Sequence, residues 1–252
     1  MKFWLTFLMV TFLLTTTACS VAAPETPTAT TPASAASAVK VTTEPGAIST
    51  PETAPEPTEK VVAASQAEGS DWLTVEGTTT DNLTYLGNPD APVTIIDYSD
   101  FLCSTCRSFV LKTEPQLREK YIKTGQVKLI FSAIVDFGDG SLQAHQAALC
   151  AREQGKFWPM HDLLYENQGS LFRGNVQETL KKLAAQLPLN PQEFNTCLDE
   201  QRTAALVQSQ DEHRRQLGLR TRPTFDLNGQ LIVGAQPFEV FQNAIESLLG
   251  QE

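Results

Sequence analysis

Two cysteines stand two residues apart in "SDFLCSTCRSF", residues 99–109. Cys103 and Cys106 at that spacing serve three chemistries: part of a thiolate metal site, a structural cross-link, or a redox pair that alternates between dithiol and disulfide. Zinc needs two further ligands. His145 and Cys150 are the nearest candidates, but they lie five residues apart and the chain has no second Cys-x-x-Cys, so no metal is expected. The chain has five cysteines: Cys19, Cys103, Cys106, Cys150 and Cys197. An odd number calls for an explanation in an exported protein. If Cys19 carries a lipid, the other four make two pairs, and Cys150 with Cys197 becomes an expected structural disulfide. The alternative for that second pair is two buried free thiols.

A reactive cysteine needs a place that stabilises its thiolate, and the surrounding elements provide one. "WLTVEG" and "PVTIIDYS" read as strands, the second as a buried apolar run. A helix is expected from about Cys103 to Thr124, kinked at Pro115 and stopped by Gly125. "QVKLIFSAI" is a further strand. A helical region follows from about 138 to 217, then "PTFDLNGQLIVG" as a hairpin around Asn228-Gly229. "QPFEVFQNAIESLL" closes the chain as an amphipathic helix with Phe238, Phe241, Ile245, Leu248 and Leu249 on one side. Cys103 thus falls where a strand passes into a helix. Unpaired amide N–H groups and the helix dipole there favour a thiolate, and Ser104 and Thr105 can turn hydroxyls or amides towards it without adding negative charge. Asp97 interrupts the apolar run of its strand, where a carboxylate is costly without a partner or a task. The alternative is an edge aspartate facing water.

The first seventy residues are of another kind. "MKFWLTFLMVTFLLTTTAC", residues 1–19, has the lysine, apolar run and small residues of a secretory signal; a membrane anchor is the competing reading. "TTTAC" is similar to a bacterial lipobox, with Thr16 where Leu, Val or Ile is commoner, which makes Cys19 a candidate lipidation site; cleavage nearby without lipid would release the protein instead. Residues 20–70 hold seven of the fifteen prolines and no aromatic residue up to Ser70, too little apolar surface to offset the entropy of ordering. They read as an extended tether to a domain at 71–252. The net charge of −10 comes without a basic stripe, so nucleic acid is not an expected partner. His145, His161, Phe157, Trp158, Leu163 and Leu164 read as packing or surface residues, and Asp136 and Asp139 as a solvated acid pair in a Gly-rich loop.

Three segments, "LGNPDAPVTIIDYSDFLCSTCRSF", "AALCAREQGKFWPMHDLLYENQ" and "RPTFDLNGQLIVGAQPFEVF", resemble the DsbA-like branch of the thioredoxin fold, the extracytoplasmic thiol–disulfide oxidoreductases. The resemblance covers about Leu86 to Leu249. It implies an α/β thioredoxin fold with a helical insertion between the central strand and the C-terminal hairpin. It implies Cys103 as exposed nucleophile, Cys106 as buried resolving thiol, Asp97 as the acid that exchanges a proton with Cys106, and Pro223 as a cis-proline facing the pair. Arg222, Thr224, Ser104 and Thr105 would border the substrate. The family usually has Thr or Val where this chain has Arg222. No cofactor is implied beyond the Cys103–Cys106 disulfide. The implied partners are exported proteins and a membrane protein that resets the pair, quinone-linked for an oxidase or electron-supplying for an isomerase.

The expected activity is disulfide donation, because the compartment is oxidising and because Arg220 and Arg222 flank the cis-proline loop, where a cation would favour the Cys103 thiolate. A reductase or isomerase of the same fold is the alternative, and so is a tethered binding lipoprotein with an inert disulfide. For the N-terminus, the expected outcome is a lipid on Cys19. Cys19→Ala should move the protein out of the membrane fraction or leave the signal uncut, whereas native protein beginning downstream of Cys19 would mean simple secretion.

Overall fold

A computed structural model describes residues 71–250. The signal, lipidation and tether assignments, including Cys19, lie outside the described residues. Asp71 caps a short 3-10 turn, Trp72–Thr74. Strand β1 (Glu76–Thr78) pairs antiparallel with β2 (Thr84–Leu86). "WLTVEG" is therefore a turn and a short strand rather than one strand. The chain reverses between β1 and β2 through Asn82, whose φ is 62°.

The centre is β3 (Val93–Ser99). It runs parallel to β4 (Val127–Ala133) and antiparallel to β5 (Thr224–Leu227), which forms a hairpin with β6 (Gln230–Val233). The sheet order is β1-β2-β4-β3-β5-β6. A parallel pair needs a crossover, and here it carries the cysteines: α1 (Ser104–Lys112), α2 (Glu114–Leu117) and a wider π-helical turn, Arg118–Ile122. The expected single helix is divided at Thr113, just before Pro115, since a proline's missing N–H and its ring suit a first turn but not an interior. Gly125, with φ of 76°, ends the crossover.

Six helices fill the insertion between β4 and β5: α3 (Asp139–Arg152), α4 (Phe157–Glu166), α5 (Gln168–Leu171), α6 (Val176–Ala184), α7 (Pro191–Asp199) and α8 (Ala204–Gln216). Asp139 is thus a first-turn helical residue rather than part of a loop. Helix α9 (Phe238–Leu249) closes the fold, burying Phe241 and Ile245.

Side chains on one face of a strand recur every second residue. Val93, Ile95, Asp97 and Ser99 therefore share a face, and all four are buried. The central strand thus carries two polar groups into the interior in line with two apolar ones. Two aromatic groups hold the elements around it. Phe109 of α1, Phe225 of β5 and Phe241 of α9 lie 4.3–5.3 Å apart between centroids. Phe101, just before the cysteines, stacks on Phe131 of β4 at 5.1 Å, His145 of α3 at 4.7 Å and Tyr165 of α4 at 5.0 Å. His145 and His161 are packing residues, 2% and 0% exposed.

Cys150 of α3 and Cys197 of α7 are joined by a disulfide across 47 residues. Such a cross-link restricts the unfolded chain by about 4 kcal/mol in the chain-entropy treatment. The Cys150→Ala/Cys197→Ala pair should lose stability of that order in urea unfolding, and a non-reducing peptide map should yield the two peptides linked. An unfolding midpoint indifferent to reductant would contradict the cross-link.

Candidate active site

Cys103 is the N-cap of α1, with extended backbone, and its sulfur accepts the Cys106 amide at 3.4 Å. Both cysteines are free thiols. Cys103 is 5% exposed and Cys106 0%, so the expected exposed nucleophile is only marginally open. Gln168, at the start of α5, closes in beside it by donating to the carbonyls of Phe101 at 2.8 Å and Cys103 at 2.9 Å.

The two thiols are driven apart. The Cys103 thiol is lowered to about 6, first by the hydrogen bond from the Cys106 thiol, against the cost of burial, then by the amides of Cys106 and Thr105 and finally by the charge of Arg222. Burial pushes the Cys106 thiol up, as do its hydrogen bond to Cys103 and the nearby charges of Cys103 and Asp97. A thiolate on Cys103 and a thiol on Cys106 are therefore one arrangement, in which each fixes the other's proton. Ser104 and Thr105 are exposed, and what reaches the Cys103 sulfur is the Thr105 amide rather than a hydroxyl.

Asp97 is 1% exposed, which excludes the water-facing alternative. Burial holds its carboxyl well above the usual range, opposed by the hydrogen bond from Ser99 and reinforced by the charges of Glu114 and Cys103. Asp100, which the sequence reading passed over, is fully buried. Its carboxylate accepts from the amides of Leu102 at 2.9 Å and Asp136 at 3.0 Å and from the Ser141 hydroxyl at 2.8 Å. It ties the cysteine loop to the segment after β4.

The Arg222–Pro223 bond is cis. Arg222 makes no backbone hydrogen bond among the described residues, leaving its peptide groups open for an added strand. Two expectations about this loop need correction. Thr224 is buried and spends its hydroxyl on the Thr221 carbonyl at 2.7 Å, so it braces the loop instead of offering a side chain to substrate. Asp136 does lie in an exposed loop, but its carboxylate is not left to solvent. It pairs with both Arg222 and Arg214, and its side chain is only 21% exposed. Arg222 also lies over the Phe137 ring at 4.7 Å. Its charge is therefore shared with Asp136, and it favours the Cys103 thiolate less than the hydrogen bonds to that sulfur do.

Among the described residues the candidate zinc ligands are otherwise engaged: Cys150 is bonded to Cys197, and His145 Nε2 lies 3.0 Å from the Ile134 carbonyl. Glu114, His161 and Asp162 do bring ligand atoms within 4.8 Å of one another. Arg118 donates to Glu114 at 2.7 Å and to both Asp162 oxygens at 2.9 and 2.7 Å, so a guanidinium already engages both carboxylates.

At this site only the Cys103 thiolate should react. Iodoacetamide labelling of the reduced protein should show one labelled cysteine, with a pH midpoint near 6 and Cys106 protected until unfolding. Equal labelling of both thiols with a midpoint near that of ordinary cysteine, about 8.5, would contradict the assignment.

The comparisons with known proteins agree with this geometry. A family model described as Thioredoxin matches residues 79–247. Disulfide bond formation protein D of Bacillus subtilis is 27% identical over 171 residues, spanning 65% of this chain and 76% of that protein. A probable disulfide bond formation protein D of Bacillus anthracis is 29% identical over 170 residues, 65% of this chain and 77% of its own. Among solved structures, oxidised BdbD of Bacillus subtilis superposes with a TM-score of 0.63 at 26% identity, covering 70% of this chain and 98% of that one. Wolbachia pipientis alpha-DsbA1 shares the fold, with a TM-score of 0.62 at 24% identity over 69% of this chain and 94% of its own. The chain belongs to the thioredoxin family, in its DsbA-like branch, and is a thiol–disulfide oxidoreductase.

Proposed function

We propose that this protein is an extracytoplasmic disulfide donor acting through Cys103 and Cys106. The carrying observation is the Cys103 thiol, lowered to about 6 at the head of α1. In the donating direction, a substrate thiolate attacks Cys103 in the enzyme disulfide. Cys106 leaves and takes a proton from Asp97, and a second substrate thiolate then displaces Cys103 as its stable thiolate. The second step ends on the better leaving group, the low-pKa Cys103, while the first depends on the proton from Asp97 because burial makes Cys106 a poor leaving thiolate. The substrate peptide lies along the open backbone at Arg222, beside Phe137, which is 43% exposed, and beside the exposed Ser104 and Thr105. Exported proteins are the substrates and a quinone-linked membrane protein restores the disulfide. The lipid on Cys19 and the tether over 20–70 keep the domain near that partner. No helix among the described residues is long and apolar enough to cross a membrane.

The sign of the redox linkage follows from the Cys103 shift. Folding depresses this thiol, so the stability gained by the reduced form is complete above the ordinary thiol range and is lost as pH falls through about 6. The oxidised form has no such thiolate. At neutral pH the reduced form should therefore be the more stable, which makes the disulfide oxidising.

Equilibration with glutathione buffers should give a reduction potential between about −120 and −200 mV, whereas about −270 mV, as in thioredoxin, would indicate a reductant. Arg222→Thr should move the potential in the negative direction by less than about 30 mV, the equivalent of 1.4 kcal/mol for two electrons, because Asp136 already shares the guanidinium charge.

A further inference from the structure

Beneath the start of α1 lies a buried layer of groups able to carry or share a proton. Cys106, Ser99 and Tyr165 are 0% exposed and Asp97 is 1%. Asp97 and Ser99, two apart on β3, project from the same face of the strand, and the Ser99 hydroxyl donates to Oδ1 of Asp97. Tyr165 enters from α4. Its ring is held by Phe101 and by His161, 4.9 Å away between centroids. Its carbonyl accepts a 2.7 Å hydrogen bond from Arg107 Nε, which fastens it to the helix that carries the cysteines. The Tyr165 hydroxyl, fully buried, completes no hydrogen bond of ordinary geometry. Leaving such a group unpaired is costly, and a natural core retains one only for a reason. Its neighbours supply the reason. Burial most of all keeps it protonated, the charges of Cys106, Asp97 and Asp100 act in the same sense, and the hydroxyl that favours its ionised form is that of Ser99.

We propose that the Ser99 and Tyr165 hydroxyls form a buried donor chain onto Asp97 that sets when Cys106 can give up its proton. They are positioning residues acting through Asp97, and the proposal rests on Cys103–Cys106 being the reacting pair. When Cys106 attacks Cys103 in a mixed disulfide, its S–H bond breaks and the proton passes to the Asp97 carboxylate. The Cys103–Cys106 bond forms as the bond from Cys103 to the outside sulfur breaks, and that sulfur leaves as a thiolate. Asp97 must be ionised to accept the proton. Burial and the charges of Glu114 and Cys103 oppose that, and Glu114 is itself held by Arg118. The flanking residues on β4 and β5, Phe131 and Phe225, carry no charge. The compensation within reach is Ser99 donating to the carboxylate, with the Tyr165 O–H turning onto Ser99 to strengthen that bond. Once Asp97 is protonated, the chain relaxes and the tyrosine hydroxyl is free again.

The test loads Cys103 with glutathione as a mixed disulfide and follows its release by Cys106 against pH. Ser99→Ala should raise the pH midpoint of release and slow it about tenfold on the acid side, the effect of losing one hydrogen bond to a charged group. Tyr165→Phe should act in the same direction by about threefold, as for a neutral hydrogen bond. Combined with Ser99→Ala it should add nothing, since it acts through Ser99. Ser99→Thr, which keeps the hydroxyl, should restore the profile. The Cys103 alkylation curve should keep its midpoint in every variant, a result that general loosening of the site would not give. Unchanged release profiles in both single variants, or an alkylation curve that moves with them, would overturn the donor chain. An unsubstituted protein that releases no glutathione would overturn both the chain and the reading of the cysteine pair.

Discussion

Only one negative charge is well supported at the head of α1, and the site is organised around that limit. The amides of Thr105 and Cys106 point at the Cys103 sulfur and can stabilise a charge there. Cys106 and Asp97 lie deeper, where burial penalises the charged form of each. Charge at any of the three makes it harder to hold at the others. The chemistry of disulfide exchange moves charge and proton among these groups, and the fold ranks them: Cys103 first, Asp97 and Cys106 only in passing. The proposed direction, disulfide donation, follows this ranking, because the state with charge on Cys103 is the reduced one.

Holding that ranking requires that water and conformational freedom be kept out. Asp100 does this on one side with three hydrogen bonds that bind the cysteine loop to the segment leading into α3. Gln168 does it on the other by bridging two carbonyls of the loop. Between them, Phe101 fills the space against β4, α3 and α4. The insertion is therefore part of the active site's wall as well as an appendage to the sheet. The disulfide joining α3 to α7 braces the helix that presents Ser141 and His145 to this wall.

The cysteine pair, its helix start, the buried Asp97 and the insertion were legible because each leaves a local mark: a spacing, a strand-to-helix transition, a charge in an apolar run, a change of period. What escaped was set by contacts between distant positions. Asp136 looks solvated beside glycines and becomes an ion-pair partner only when α8 and the cis-proline loop bring Arg214 and Arg222 to it. β2 is a three-residue strand whose pairing with β4, not its pattern, makes it one. Ser99 and Tyr165 are ordinary residues in sequence, 66 positions apart by number, and gain their meaning from sharing one buried layer. Helix α1 was expected to run on through Pro115, but Thr113 already ends it.

Arg222 shows how a sequence argument can have the right sign and the wrong weight. A cation before the cis-proline does favour the Cys103 thiolate, but it does so less than the hydrogen bonds from Cys106 and the amides. The guanidinium is bound by Asp136 and laid over Phe137. Asp136 is in turn shared with Arg214, which also holds Asp211. A side chain fixed at both its charged end and its flat face makes a better floor for a bound peptide than a free electrostatic lever, since little entropy remains to be lost on binding. The proposed oxidising character would then rest on the helix start and the buried pair beneath it, which every substrate would meet alike. In the proposed function the departure at Arg222 would act where substrates differ, along the open backbone beside the cis-proline.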